Sequence, residues 1–260
     1  MLSLALAQAP SDLVGWSARM QWLAQHLPEI AKKGADLVVL PELFACGYAI
    51  GAQTRASAQP AHGPTAQRLS ELAQRFKLAI HCGYAERADE TLYNSAMCIG
   101  PDGTLLGHHR KLAIPPGFER EYYTAGQGIT LFTYRGFKIA TLICYDAEFP
   151  ETVRHAAALG ADLVLVPTAL GADWGWVADT MLPTRAYENG VFLAYANGSG
   201  TQGDMEFLGK SVIAAPNGTE LARAGRGSEI LYASLDPAMV RKAQLRLPYL
   251  LDRTSLDLLL

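Results

Sequence analysis

One repeated segment constrains this chain more than any other. Gly34-Ala35-Asp36-Leu37-Val38-Val39-Leu40-Pro41 returns as Gly160-Ala161-Asp162-Leu163-Val164-Leu165-Val166-Pro167. Each copy follows an amphipathic helical stretch, and each of those stretches follows an apolar run. Later, Gly100-Pro101-Asp102-Gly103-Thr104 has a counterpart in Ala215-Pro216-Asn217-Gly218-Thr219. Asp-Gly and Asn-Gly between strands signal hairpins, because these residues tolerate positive φ. Matching landmarks in the same order predict an α/β chain of two pseudo-symmetric halves, two similar sheets face to face with helices outside.

The rest of the pattern fits that reading. Apolar runs bounded by turn residues predict strands at Leu2–Ala9, Asp36–Leu40, Leu78–Tyr84, Ser95–Ile99, Phe137–Ile143, Asp162–Val166, Val191–Ala196 and Ser211–Ala215. Helices are expected over Trp16–Lys33, Thr65–Lys77, Phe149–Leu159 and Trp176–Glu188. In the first, Met20, Leu23, Leu27 and Ile30 recur at three- and four-residue spacing, which makes one face apolar. Half of the 260 residues are hydrophobic, enough for one domain over 1–260 built from two intimately packed halves. The net charge of −3 is dispersed, and no Lys/Arg cluster interleaved with aromatics suggests nucleic acid.

The opening MLSLALAQA lacks the basic region of a signal peptide and reads as a buried first strand. Leu256–Leu260 is too short, and too interrupted by Asp257, to span a bilayer. The apolar segment 237–260 is instead expected to pack on this subunit or on a partner copy, as in a homodimer. Cys46, Cys82, Cys98 and Cys144 show neither CxxC pairing nor zinc spacing, and scattered thiols suit a reducing, cytoplasmic setting. No metal or cofactor is expected.

Three polar residues stand where buried-strand patterns end: Glu42 after Val38–Pro41, Cys144 after Ala140–Ile143, and Lys111 after the Asp102-Gly103 hairpin. Ligands of α/β sheets bind beyond the carboxyl ends of strands, so a carboxylate, a thiol and an ammonium can converge there. Taken singly, each has an ordinary explanation as loop, core or surface residue. The six histidines include no HExxH spacing, and His108 and His109, adjacent on a strand, point to opposite faces. Gly198-Ser199-Gly200 lacks the full G-x-S-x-G elbow of serine hydrolases.

The blocks around these residues resemble the nitrilase (carbon–nitrogen hydrolase) superfamily. They are Leu40-Pro41-Glu42-Leu43-Phe44, His109-Arg110-Lys111-Leu112 and Ile143-Cys144-Tyr145-Asp146-Ala147-Glu148-Phe149-Pro150-Glu151. Arg185-Ala186-Tyr187-Glu188-Asn189 is a further family-like stretch, and the resemblance runs from Leu4 to about Asp236. It implies a four-layer α-β-β-α sandwich and hydrolysis of an amide through a thioester on Cys144. Glu42 would then be the general base, and Lys111 with the Tyr145 backbone N–H would stabilise the oxyanion. The family often carries a second glutamate after the lysine. Glu119 is the expected one and Glu121 its competitor, since Leu112–Pro116 departs from the family pattern. Tyr145-Asp146, where nitrile-cleaving relatives carry Trp-Glu, implies an amide substrate. A nitrilase, an N-carbamoyl hydrolase or a catalytically silent binding subunit of the same fold are the alternatives. Tyr48, Phe118, Trp174, Trp176 and Met181 are candidate walls of the substrate pocket.

Overall fold

Leu37 and Val39 point to one side of their strand and Val38 and Leu40 to the other, and all four are fully buried. The computed structural model, which describes residues 1–257, shows what covers each side. Val38 and Leu40 pack against Leu23, Leu27 and Ile30 of the helix Gly15–Lys32. Leu37 and Val39 pack against Ile139, Leu163 and Leu165 of the second half. The repeat behaves alike: Val164 and Val166 meet Val153 and Ala156 of the helix Pro150–Ala158, while Leu163 and Leu165 face the first half. A strand that is apolar on both faces needs a helix on one side and a sheet on the other. The result is four layers, α-β-β-α.

The first sheet contains β1 (Leu2–Gln8), β2 (Leu37–Val39), β3 (Ala79–Ala88), β4 (Thr91–Ile99) and β5 (Leu105–Arg110). The second contains β6 (Thr130–Tyr134), β7 (Phe137–Thr141), β8 (Leu163–Pro167) and β9 (Phe192–Ala196). A separate hairpin, β10 (Ser199–Gln202) and β11 (Met205–Leu208), follows, before β12 (Val212–Ala214) and β13 (Glu220–Arg223) complete the second sheet. The last strand, β14 (Glu229–Leu235), returns to pair with β1. The sheet orders are β14-β1-β2-β3-β4-β5 and β6-β7-β8-β9-β12-β13. In each, a parallel trio is flanked by antiparallel strands. The halves therefore match strand for strand, except that the first takes its edge strand from the far end of the sequence.

Several elements differ from the expectation. β3 and β4 run on past the apolar residues that mark them, because their far ends pair as a hairpin through Ala88↔Thr91. The stretch from Trp176 enters through a π-turn, Val177–Met181, before the helix Leu182–Asn189. The β10–β11 hairpin was not expected, since its sequence is short, polar and glycine-rich. Beyond β14, Asp236 caps the helix Pro237–Arg246 by accepting from the Ala238 N–H at 2.9 Å. Val240 of that helix is buried against the inter-sheet core, while Leu245, Leu251 and Leu256 stay exposed. Residues 258–260, part of the terminal leucine run, lie outside the described residues. Among those described, no helix is long and apolar enough to cross a membrane.

Candidate active site

Strand alternation decides which side chains meet between the sheets. On β3, His81, Gly83 and Ala85 face the second sheet; on β4, Asn94, Ala96 and Cys98 pair with them in register. On β5, His109 pairs with Ala96, and the Lys111 N–H donates to the Asn94 carbonyl at 2.8 Å. Lys111 thus lies beside Asn94 on the same face, one row beyond His109. Glu42 follows β2 in a tight loop where Leu43 takes a left-handed φ of 50°. That loop rests on Gly83, where a Cβ would lie 2.5 Å from the Leu43 nitrogen and 2.6 Å from the Pro41 carbonyl. Only glycine leaves room for it there. Cys144 follows β7 and opens a 3₁₀ turn, Cys144–Glu148, with a left-handed φ of 47°. Non-glycine residues are held in that region only where surrounding contacts over-determine them, often at functional sites.

Glu42, Lys111 and Glu119 form one buried cluster, each no more than 3% exposed. Lys111 Nζ donates to Glu42 Oε1 at 2.7 Å and to Glu119 Oε1 and Oε2 at 2.8 and 2.9 Å. Asn94 Nδ2 donates to Glu42 Oε1 at 2.7 Å and to Glu119 Oε2 at 3.1 Å. The Tyr48 hydroxyl donates to Glu119 Oε1 at 2.6 Å. Glu42 Oε2 has no partner among the described residues. Glu121 is exposed, and it is Glu119 that meets the lysine.

Burial pushes the Glu42 carboxyl up to about 7, against the pull of the Lys111 ammonium and with the push of the Glu119 charge. Burial also works against the Lys111 ammonium, yet Glu42 and Glu119 hold its pKa well above the ordinary value. The Cys144 thiol is pushed far up by burial and then by Glu42, and Lys111 offsets only part of this. At rest the site therefore holds a protonated thiol, a fixed ammonium and a carboxyl poised to ionise near neutrality.

Asp146 braces this geometry. Its Oδ1 accepts from the Leu112 and Ala113 N–H groups at 2.9 and 2.7 Å, and its Oδ2 accepts from the Ile143 N–H at 2.9 Å. His109 Nε2 lies 3.5 Å from Oδ2. One fully buried carboxylate from the Cys144 turn thus grips both flanks of Lys111. His108 faces the opposite way, toward Tyr84 and Glu86. Asp146→Asn turns one acceptor oxygen toward N–H groups as a donor, which loosens Lys111 relative to Cys144. We expect a loss of about 10- to 100-fold in kcat, the cost of an ångström-scale misplacement. Steady-state kinetics with circular dichroism as a folding control checks this.

Of the expected pocket residues, Tyr48 joins the cluster and Phe118 packs edge-on against it, with ring centroids 4.9 Å apart. Trp174 and Trp176 are exposed, 63% and 72%, on the loop after β8, and Met181 packs against the helix side of the second sheet. Neither tryptophan lines the cavity beside Glu42. Among the described residues, no acceptor meets the Tyr145 backbone N–H. Sequence reasoning missed Asn94 and Thr168. Thr168 follows β8, the strand of the repeat, and accepts from the Glu42 N–H through its carbonyl at 3.3 Å. The signal for Asn94 was a lone amide in register with Ala96 and Cys98 on an otherwise apolar face.

The profile of the family described as carbon-nitrogen hydrolase matches residues 3–244. The chain belongs to that family. A relative named "Hydrolase in pqqF 5'region", from Pseudomonas protegens, is 37% identical over 97% of this chain and 89% of its own length. An (R)-stereoselective amidase from a Pseudomonas species is 36% identical, over 84% of this chain and 79% of the relative. Among solved structures, a glutamate-to-glutamine mutant of the amidase from Nesterenkonia sp. AN1 superposes with a TM-score of 0.82 at 31% identity. The match covers 98% of this chain and 97% of that one, and that structure shows the acetamide moiety of fluoroacetamide covalently added at the active-site cysteine. This carbon–nitrogen hydrolase is an enzyme whose Cys144 stands at the family's catalytic position.

Proposed function

We propose that the protein hydrolyses the amide of a small acyl compound to a carboxylic acid and ammonia or an amine, through a Cys144 thioester. The observation that carries this is the Glu42 oxygen left without a partner beside a thiol that burial keeps protonated. A protonated thiol is a poor nucleophile and needs a base as it attacks. Glu42 takes the thiol proton while sulfur adds to the carbonyl carbon. Lys111 and the Tyr145 N–H bind the oxyanion. Protonated Glu42 then gives its proton to the departing amine, and the collapse leaves the thioester. Glu42 next draws a proton from water, which adds to the thioester, releasing the acid and restoring the thiol. Asn94 and Glu119 hold Lys111 and Glu42 and never exchange protons with the substrate.

Amide chemistry in the (R)-stereoselective amidase and the Nesterenkonia amidase supports this reading. So does Tyr145-Asp146 after the nucleophile: a nitrile would need repeated protonation of nitrogen, and the site offers one proton carrier. The test is ammonia release from matched amides, nitriles and N-carbamoyl compounds. We expect kcat/KM to favour the amide over its nitrile at least about tenfold across several acyl groups, the reach of one well-placed proton donor. A nitrile processed faster than its amide overturns the assignment.

The same reading takes residues 1–260 as one functional domain, at home where thiols stay reduced, since all four cysteines are free. It includes self-association. Leu245, Leu251 and Leu256 expose 83%, 71% and 60% of their surfaces along one segment, and apolar patches of that kind mark contacts. Sedimentation at micromolar concentration is expected to show at least a dimer of the 28.0 kDa chain. Leu245→Glu with Leu251→Glu is expected to shift it toward monomer.

A further inference from the structure

We propose that the Thr168 hydroxyl, with the Ala169 backbone N–H, holds the Cys144 sulfur whenever it carries negative charge, and so acts in both halves of the reaction. This rests on the thioester reading and adds to it a donor pair for the sulfur itself. The repeat that organises the fold ends in Pro41-Glu42 in one half and in Pro167-Thr168 in the other. Equivalent positions of the two sheets therefore carry the base and a hydroxyl. The Glu42 N–H donates to the Thr168 carbonyl at 3.3 Å, which ties the two loops together. Both residues, with Ala169, line one cavity. Strand register brings the sulfur to the same place. β7 runs parallel to β8 with Ile139↔Leu163, Ala140↔Val164 and Thr141↔Leu165. The Leu142 N–H then donates to the Leu165 carbonyl at 3.0 Å. Continued past the strand ends, that register sets Cys144 beside Thr168.

Thr168 is fully buried, yet its Oγ1 has no hydrogen-bond partner among the described residues. The Ala169 N–H likewise meets no backbone acceptor among them. Tyr195 pairs with Val166 and so lies on the strand face that Thr168 continues. It is buried too, and its hydroxyl is also unpartnered. Burial, and next the charge of Cys144, hold that phenol well above its ordinary pKa, so it remains a donor. Buried polar groups without partners are uncommon and ask for an explanation. Here the explanation is the state of the sulfur. A neutral thiol is a weak acceptor. A sulfur bearing charge is a strong one, and hydrogen bonds to ionised groups are roughly twice as strong as neutral ones. The bond is thus unmade at rest and made where charge reaches the sulfur, the kind of differential binding that lowers a barrier. The electrostatics agree. Burial and then Glu42 push the thiol up, and Lys111, the Thr168 hydroxyl and the Ala169 N–H draw it back.

Charge reaches the sulfur twice. In acylation the thiol proton passes to Glu42 while a sulfur electron pair forms the bond to the carbonyl carbon. In thioester hydrolysis the carbon–sulfur bond breaks and its electron pair returns to sulfur. The proton that Glu42 took from water then restores the thiol. Lys111 and the Tyr145 N–H are committed to the oxyanion in both halves, so the sulfur needs donors of its own. Thr168 keeps its proton throughout, and the Tyr195 hydroxyl donates to Thr168 Oγ1 as the Thr168 proton turns to sulfur.

Thr168→Val removes the hydroxyl and keeps the branched shape. It is expected to lower kcat on butyramide by about 10- to 100-fold, the worth of one donor to a developing charge. Alkylation of Cys144 by iodoacetamide, located by peptide mass analysis, is expected to slow at least about tenfold at fixed pH, because the thiolate is the reacting form. The lost hydroxyl has no partner at rest, so Tm is expected to hold or rise, where loss of a structural bond would lower it. Thr168→Ser keeps the donor and is expected to restore both rates. A fall in Tm alongside kcat, no rescue by serine, or wild-type alkylation of Thr168→Val overturns the proposal. Alkylation needs no turnover, so it tests the donor even if no amide is cleaved. Unchanged kcat in Thr168→Val beside an inactive Cys144→Ala removes the donor and leaves the thioester reading standing.

Discussion

Cys144→Ala is expected to lose all measurable amide turnover while keeping its fold. The substitution removes one sulfur from a side chain that packs against Ala96 and Ile143, so the stability cost is about 1 kcal/mol. The left-handed backbone at Cys144 costs alanine no more than cysteine, and Asp146 still braces the turn. Without the sulfur, no covalent route exists that Glu42 and Lys111 can serve. Intact-mass analysis with a slowly turned-over amide is expected to trap an acyl adduct on the wild-type enzyme and none on the variant. The other thiols answer differently. Burial raises Cys46 to about 11 and pushes Cys82 and Cys98 higher still. Among the described residues none of the three bonds to a carboxylate or an imidazole. Their alanine variants are expected to keep activity and lose only packing. Turnover by Cys144→Ala would require a different nucleophile and would end the mechanism.

The fold was legible because its logic repeats. Leu37–Leu40 and Leu163–Val166 are apolar on successive positions, and a strand of that kind must be covered on both faces. The order of elements around each copy then left little choice of architecture. Glu42, Lys111 and Cys144 drew notice in the sequence because each stands at a strand end inside a block that resembles the family's, and the structure brings Glu42 and Lys111 to 2.7 Å of each other. Two of the residues that brace them, Asn94 and Asp146, carry no such mark in the sequence. Asn94 sits inside a strand whose apolar core begins after it, and only the register with Ala96 and Cys98 places it beside Lys111. Asp146 reads in sequence as a mark of the amide-cleaving branch; its bonds to Leu112 and Ala113 are contacts across two sheets, which no local pattern records. The β10–β11 hairpin, which carries Gln202 to the Tyr48 loop, has too few apolar residues to show a period. Trp174 stands exposed outside the cavity beside Glu42, and an aromatic on a loop carries no periodicity to say in the sequence which way it faces.

Glu42→Gln is expected to reduce kcat/KM by about 10²- to 10⁴-fold, the usual worth of a positioned general base, and to slow both halves of the reaction. Glutamine keeps an oxygen for Lys111 and Asn94, so the cluster survives while the proton carrier is lost. A reactive ester can bypass difficult acylation, and stopped-flow analysis of its acyl-enzyme isolates the second step. Wild-type-like hydrolysis there would remove Glu42 from thioester cleavage. The pH dependence gives an independent check. Below about 7 the Glu42 carboxyl holds its proton and cannot accept one from the thiol. Wild-type kcat/KM is therefore expected to rise with pH through an apparent pKa near 7, a property of the coupled cluster rather than of one residue. Glu119 contributes to that upward shift, so Glu119→Gln should move the limb to lower pH. Stability runs the other way. A carboxyl raised above its ordinary 4.5 favours the folded state fully below that value, and the contribution is lost as pH rises through about 7. Glu42→Gln, neutral at every pH, is thus expected to gain in melting temperature over the wild type from pH 6 to pH 9. A Tm difference that stays flat over that range would mean the Glu42 proton does not move near neutrality, and the acid limb would then belong to another group.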